Sequence, residues 1–256
     1  MISPAQHAEL LTAVRSAGSL LLSLWPGAAG QKECLQAESK ADGTLVTQAD
    51  VGSNCVLIDA LKRLFPSDAI LSEESPIDVQ ELQRAQRVWV IDPLDGTRSF
   101  VNGLDDFSVL VALCENSSPV YGVMFFPARD QLVTAAQGSP ALCNGVALAV
   151  SKSVTLQPGR IYIRNFECRR PELAAPMMDS GLALLQVARG ELDGAIIRMT
   201  THREWDIAAP AAVIRAAGGT VTTETASQIK FGRGTVDFQY LVASNGLIHQ
   251  QLQDVI

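Results

Sequence analysis

The sequence is short of the residues that build covalent staples and soft-metal sites. Cysteine occurs five times in 256 residues, at positions 34, 55, 114, 143 and 168. The number is odd and no two stand as CxxC, so a disulfide framework and a thiolate zinc ribbon are excluded. Core thiols in a reducing, cytoplasmic compartment are the expectation. The three histidines, His7, His202 and His249, are scattered and form no HExxH, which excludes a histidine zinc site. Basic residues are outnumbered, 20 Lys and Arg against 27 Asp and Glu, for a net charge of −7. No basic stripe is present to displace counterions, which excludes a nucleic acid polymer as partner. Small anions stay open, because bound cations reverse a local sign. No apolar run reaches the length of a membrane span, so no membrane association is expected. Neither a GxxxxGK[ST] phosphate loop nor a GxSxG nucleophile elbow occurs.

What is present reads as a globular chain: 47% of residues are hydrophobic and 18% charged. We expect a single domain over 1–256, with an N-terminal half to about 150 of two helices on a largely antiparallel sheet and an α/β second half. Leu10, Val14, Ala17, Leu21 and Trp25 recur at helical spacing, giving an amphipathic core helix over Pro4 to Leu24. Glu9 and Arg15 precede its apolar run, against a signal segment. A second helix spans about Ala49 to Phe65. Strands follow at Ala69 to Leu71, Arg87 to Ile91, Phe107 to Leu113, Val120 to Phe126 and Gln131 to Ala135. Later come a helix at Leu182 to Arg189, strands at Gly194 to Met199 and Thr220 to Thr223, and between them a helix at Ile207 to Ala217. A strand at Leu241 to Ala243 and a helix from Asn245 close the chain. No element is assigned to 139–181, which is rich in Pro and Arg.

The densest chemical signal is Asp92-Pro93-Leu94-Asp95-Gly96-Thr97 at the end of a β-rich run. Two aspartates this close repel unless something positive lies between them, and hard divalent cations such as Mg²⁺ take oxygen ligands of this kind. The same residues also suit an Asx-turn in which both aspartates cap backbone amides, and the segment alone leaves the two readings level. Ser72-Glu73-Glu74-Ser75 by itself reads as a solvated turn. Asp206 by itself reads as a helix N-cap with Pro210 in the first turn.

Taken in order, Asp42-Gly43-Thr44-Leu45-Val46-Thr47-Gln48-Ala49-Asp50, Ser72-Glu73-Glu74-Ser75, Asp92-Pro93-Leu94-Asp95-Gly96-Thr97 and Trp205-Asp206 resemble the signature of the inositol monophosphatase superfamily. These are magnesium-dependent, lithium-sensitive phosphatases of inositol phosphates, 3′,5′-bisphosphate nucleotides, histidinol phosphate and fructose bisphosphate. The resemblance implies an α+β fold, the layered α/β/α/β/α sandwich of the inositol monophosphatase and fructose-1,6-bisphosphatase type, and a small phosphorylated metabolite as substrate. It implies two to three Mg²⁺ ions. Glu73, Asp92 and the Leu94 carbonyl would hold the first, Asp92, Asp95 and Asp206 the second, and Glu73 a looser third. Thr97, backed by Asp50, would polarise a water together with Glu73. The Gly96 and Thr97 amides would hold the phosphate, with Asp206 also at the substrate. A homodimer is compatible with it, as relatives occur both as monomers and as dimers.

Within that family, Lys40-Ala41-Asp42-Gly43-Thr44, the Ser72-Glu73-Glu74 form and Asp105-Asp106-Phe107 look most like the 3′(2′),5′-bisphosphate nucleotidase branch. Arg98-Ser99-Phe100 is closer to histidinol phosphatases, and Leu45 to inositol phosphatases. Asp179-Ser180-Gly181 departs from the Gly-Ser usual there. Arg160, Arg164, Arg169, Arg170 and Arg203 are candidates for a second phosphate or ribose, with a solvated basic face as the plainer reading. The rival from another class is a non-catalytic ligand-binding descendant. It would normally have lost a liganding acid, and none is lost here.

Overall fold

A computed structural model describes residues 2–27, 38–39 and 45–256. Asp42 to Thr44 of the first motif, and Cys34, lie outside the described residues. Helix α1 (Pro4–Leu24) opens with a capping box between Ser3 and Gln6. The short strands β1 (Glu38–Ser39) and β2 (Leu45–Val46) pair antiparallel before α2 (Gln48–Leu64). Then come β3 (Ala69–Ser72), α3 (Val79–Arg84), β4 (Arg87–Asp95), α4 (Thr97–Val101), β5 (Ser108–Glu115), β6 (Ser118–Phe126), β7 (Gln131–Ala136), β8 (Leu142–Cys143) and β9 (Val146–Ala147). The second half carries β10 (Ile161–Arg164), α5 (Ser180–Ala188), β11 (Gly194–Arg198), α6 (Glu204–Ala216), β12 (Thr220–Thr223), β13 (Tyr240–Ser244) and α7 (His249–Gln253).

Strands β3 to β9 form one sheet in sequence order, parallel only between β3 and β4. The smaller sheet has the order β10-β11-β13-β12. Side-chain alternation assigns the faces. Trp89, Ile91, Val109, Val111 and Val123 pack under Leu10, Val14 and Leu21 of α1 and Leu57 and Leu61 of α2. Their neighbours Val88, Val90, Leu110, Ala112 and Met124 meet α5 and α6 through Leu184, Leu185, Ile207 and Val213. Ala195, Ile197, Leu241 and Ala243 of the small sheet join that same core. The opposite face, with Ile161, Ile196 and Val242, is covered by Ile248 and Leu252 at α7. The layers therefore run α/β/α/β/α, the sandwich the resemblance implies.

Two local features bring the middle helices close. A Cβ on Gly122 would stand 2.9 Å from the Ala209 carbonyl oxygen and from Ala212 Cβ, so a bare backbone on β6 lets the alanine-rich face of α6 settle onto the sheet. In β4, Asp92 faces Leu110 and Asp95 faces Ser108, so the pair carries a bulge between them. Residues three apart on an unbroken strand point to opposite faces, and the extra residue resets that alternation. Pro93, which has no amide proton to give the ladder, sits where the ladder breaks.

Helix α6 begins three residues earlier than its periodicity predicts. Arg203 is the N-cap and Asp206 lies within the first turn, its carboxylate accepting from the Arg203 amide, while Pro210 falls inside the helix instead of at its start. Region 139–181 also holds structure: β8, β9, β10 and a 3₁₀ turn at Pro171–Leu173. Its strands are two to four residues long, too short for a period to register.

Candidate active site

The bulge in β4 and the first turn of α6 converge on one point. Ligand oxygens of Asp92, Asp95 and Asp206 lie within 4.8 Å of one another. Asp92 is 1% and Asp95 4% exposed, which makes the convergence costly. Among the described residues, no lysine or arginine is ion-paired to any of the three. Burial pushes the Asp92 carboxyl well above the usual carboxylate range, and the charges of Glu73, Asp95 and Asp206 push it further. Asp95 is raised by burial and then by Asp179 and Asp206. Asp206 is raised by burial, against the opposing pull of His202 and the Arg203 amide. Asp179 is pushed up to about 6, chiefly by burial.

Asp92 also accepts from the Leu94 amide at 3.0 Å, so the Asx-turn and the converging carboxylates coexist. That bond occupies Oδ1, and it fixes the side chain's direction. Ser108 donates to Asp95 Oδ2 at 3.2 Å. Gly96 follows in the left-handed region at φ +82°, where a Cβ would also press on the Asp179 carboxyl at 3.0 Å. Thr97 Oγ1 donates between Asp50 Oδ1 and the Leu94 carbonyl, each at 3.2 Å. Asp50 is buried and held by Thr47, whose amide and hydroxyl donate to Oδ2 at 2.7 and 2.6 Å. This is the capping box of α2, so a helix start is what positions Asp50. Burial raises the Asp50 carboxyl against those two bonds.

A cavity of about 490 Å³ opens at the cluster, with Glu73, Asp95, Gly96 and Thr97 on its wall. It also takes in residues that the motifs do not include: Asp106, Asp179, Ser180 and His202. His202 is buried and its Nε2 lies 3.0 Å from Ser180 Oγ. A larger cavity of about 680 Å³ lies against β5, β6 and β7, beside His7 and Tyr121, but no group of converging carboxylates lines it. Chemistry, more than size, marks the site.

The arginines separate cleanly. Arg160 is tied to Asp193 at 2.8 Å and to the Gly190 carbonyl at 2.9 Å, and Arg170 to Glu172 at 2.9 Å. Arg203 turns back on the His202 carbonyl and Arg169 is exposed. Arg164 lines the cavity. Two of the missed residues left a trace in the sequence, since Asp179 and Gly181 stand where the resemblance breaks. Gly181 is required by contact: a Cβ there would meet Asp95 Oδ2 at 2.1 Å. Gly181→Ala is expected to weaken divalent-ion affinity by about tenfold or more with the fold retained. Unchanged affinity in a calorimetric titration would show that Asp95 has room to move.

The donor set is all hard oxygen, mutually repelling, buried at Asp92 and Asp95 and half-buried at Asp206, and among the described residues no lysine or arginine is ion-paired to it. It fits a divalent ion such as Mg²⁺. A five-layer sandwich with that cluster at the junction of its two halves defines a metal-assisted phosphatase class. The chain belongs to the inositol monophosphatase family, whose profile matches residues 6–256. It is 31% identical to an inositol-1-monophosphatase of Synechocystis over 262 residues, covering 95% of this chain and 86% of the relative. It is 30% identical to the 3′(2′),5′-bisphosphate nucleotidase CysQ of Escherichia coli O157:H7 over 219 residues, covering 81% of this chain and 86% of the relative. A solved Thermotoga maritima IMPase superposes with a TM-score of 0.81 at 27% identity, over 95% of this chain and 93% of that one. The chain is a phosphatase of small phosphorylated compounds. No helix among the described residues is long and apolar enough to cross a membrane.

Proposed function

We propose that this protein is a Mg²⁺-dependent phosphomonoesterase that releases the 3′-phosphate of a nucleoside 3′,5′-bisphosphate such as adenosine 3′,5′-bisphosphate. The observation that carries the metal-dependent chemistry is the convergence of Asp92, Asp95 and Asp206, the first two of them buried. Glu73, Asp92 and the Leu94 carbonyl would hold one ion, Asp92, Asp95 and Asp206 a second, and Glu73 a third. Ions held there would supply a lowered pKa for water and positive charge for the phosphate oxygens.

The chain's own residues direct the proton traffic. Thr97 Oγ1 has one proton and two acceptors at equal distance. The charged one, Asp50, makes the stronger bond. With its proton committed to Asp50, the hydroxyl turns lone pairs outward and accepts from a water in the cavity. Glu73 on the same wall accepts that water's other proton. Gly96 and Thr97 amides orient the phosphate. Thr97→Ala is expected to lower kcat about 10²-fold with Mg²⁺ half-saturation unchanged. Equal damage to both would place the hydroxyl in metal support instead.

For the substrate, the reading is supported by Leu104 and Met177, which are 54% and 62% exposed and line the cavity. They offer an apolar face suited to a nucleobase more than to a polyol. The nucleotidase relative and the Asp106-Phe107 pair point the same way. The test is phosphate release from adenosine 3′,5′-bisphosphate, inositol 1-phosphate, histidinol phosphate and fructose 1,6-bisphosphate, with Mg²⁺, with EDTA, and with added Li⁺. The bisphosphate nucleotide is expected to lead by about tenfold or more in kcat/KM, with Li⁺ inhibiting. Preference for inositol 1-phosphate or histidinol phosphate would reassign the substrate. Turnover in EDTA would remove the metals, and no turnover on any ester would leave a ligand-binding descendant.

A further inference from the structure

Two buried polar atoms on residues lining the cavity have no hydrogen-bond partner: Asp106 Oδ1 and Arg164 Nε. Asp106 is only 8% exposed. Its other oxygen accepts from the Asp179 amide at 2.8 Å, which pins the carboxylate in place and leaves Oδ1 unused. Arg164 ends β10, the edge strand of the small sheet. No ion pair joins Asp106 and Arg164 to each other or to another described residue. An acceptor and a donor, each belonging to a charged group, are therefore left unmatched around one cavity. Buried charged groups whose hydrogen bonds are unmade destabilise a fold unless a ligand completes them. A ligand that does so must bring a donor to the carboxylate and an acceptor to the guanidinium.

We propose that Asp106 and Arg164 select the leaving group. Asp106 accepts a hydrogen bond from the hydroxyl beside the scissile ester, and Arg164 donates to the second phosphate. Asp106 is bonded to Asp179, whose charge acts on Asp95, so it lies on the metal side of the cavity where the neighbouring hydroxyl arrives. Arg164 lines the same cavity and carries the charge a second phosphate needs. The assignment rests on the proposed nucleotidase reading and adds to it a requirement for the ribose 2′-hydroxyl.

The experiment measures kcat/KM of the full chain with Mg²⁺ on adenosine 3′,5′-bisphosphate, its 2′-deoxy analogue and adenosine 3′-monophosphate. Wild type is expected to favour the first over each of the others by about tenfold or more, because a site built for a polar group rejects the analogue lacking it. Asp106→Asn can keep the bond to the Asp179 amide while exchanging the charged acceptor that faces the cavity for a neutral donor, so the ribose preference narrows, with kcat/KM falling more on adenosine 3′,5′-bisphosphate than on its 2′-deoxy analogue. Arg164→Gln removes the preference for the bisphosphate, through KM more than kcat. Equal losses on all three substrates would reduce both residues to structural roles. If neither variant folds, the wild-type ratios alone decide: no preference for the hydroxyl or the second phosphate overturns the proposal. Absence of phosphate release from all three would instead sink the nucleotidase reading beneath it.

Discussion

Asp92→Asn is expected to lower kcat by about 10³-fold, the scale of removing a preorganised charge from the reacting centre. The same substitution is expected to raise the melting temperature of the metal-free protein. Asparagine keeps the bond to the Leu94 amide, so the bulge in β4 is retained. What it removes is a buried negative charge facing Glu73, Asp95 and Asp206. Relief of that repulsion is worth about 1–3 kcal/mol in the absence of metal. With Mg²⁺ the order of stabilities reverses, since only wild type gains by binding. Kinetics and paired melts with and without EDTA check both halves. A variant retaining more than about a tenth of wild-type turnover takes Asp92 out of the mechanism.

Removing the metal is expected to give wild type an unusual stability profile, rising as pH falls. Asp92 and Asp95 titrate well above the 3.8 of an unperturbed carboxyl. Between that value and their raised folded ones, the native chain binds protons that the unfolded chain has released. Stability therefore increases as pH drops through the raised values. Asp193 works in the opposite sense. Burial raises its carboxyl, but hydrogen bonds from Arg160, Ser151 and Ser153 outweigh this and leave it lowered, so its contribution is lost only in more acid solution. In a scan from pH about 8 to about 5 in EDTA, protonation of the cluster should raise the melting temperature, while His202 and His249, lowered by burial, act in the opposite sense, so the cluster is read from the difference between scans in EDTA and in Mg²⁺. Saturating Mg²⁺ should abolish the climb by holding the carboxylates ionised. Identical profiles in EDTA and in Mg²⁺ would mean the three carboxylates are neutralised by the protein itself.

The sequence makes the skeleton legible because most of its elements are amphipathic over several turns or strand repeats. Helix α1 falls on its predicted residues, and β6, β7 and β12 begin or end within a residue or two of theirs. The acids of the cluster are legible for a different reason: their spacing around Pro93 and Gly96 is unusual enough to stand out without a fold. What the spacing does not reveal is the bulge, since register is a property of two strands and β5 supplies the partner. Helix α6 misleads because Pro210 looks like a first-turn residue, yet Glu204, bound to the Arg233 and Thr235 amides, starts the helix earlier. Asp106, Asp179 and Arg164 show in the sequence only as a branch-like pair, a break in the resemblance and one arginine among five, because they come from separate loops and an edge strand and nothing local links them into one cavity.

The central claim is that carboxylates from β4 and α6 turn inward on a shared cation. Crystals soaked in Mn²⁺ and measured for anomalous scattering test it most directly. The account predicts strong peaks among the carboxylate oxygens of Asp92, Asp95 and Asp206, with Glu73 drawn to the nearer ion. Side chains turned apart, with only water between them, would contradict it.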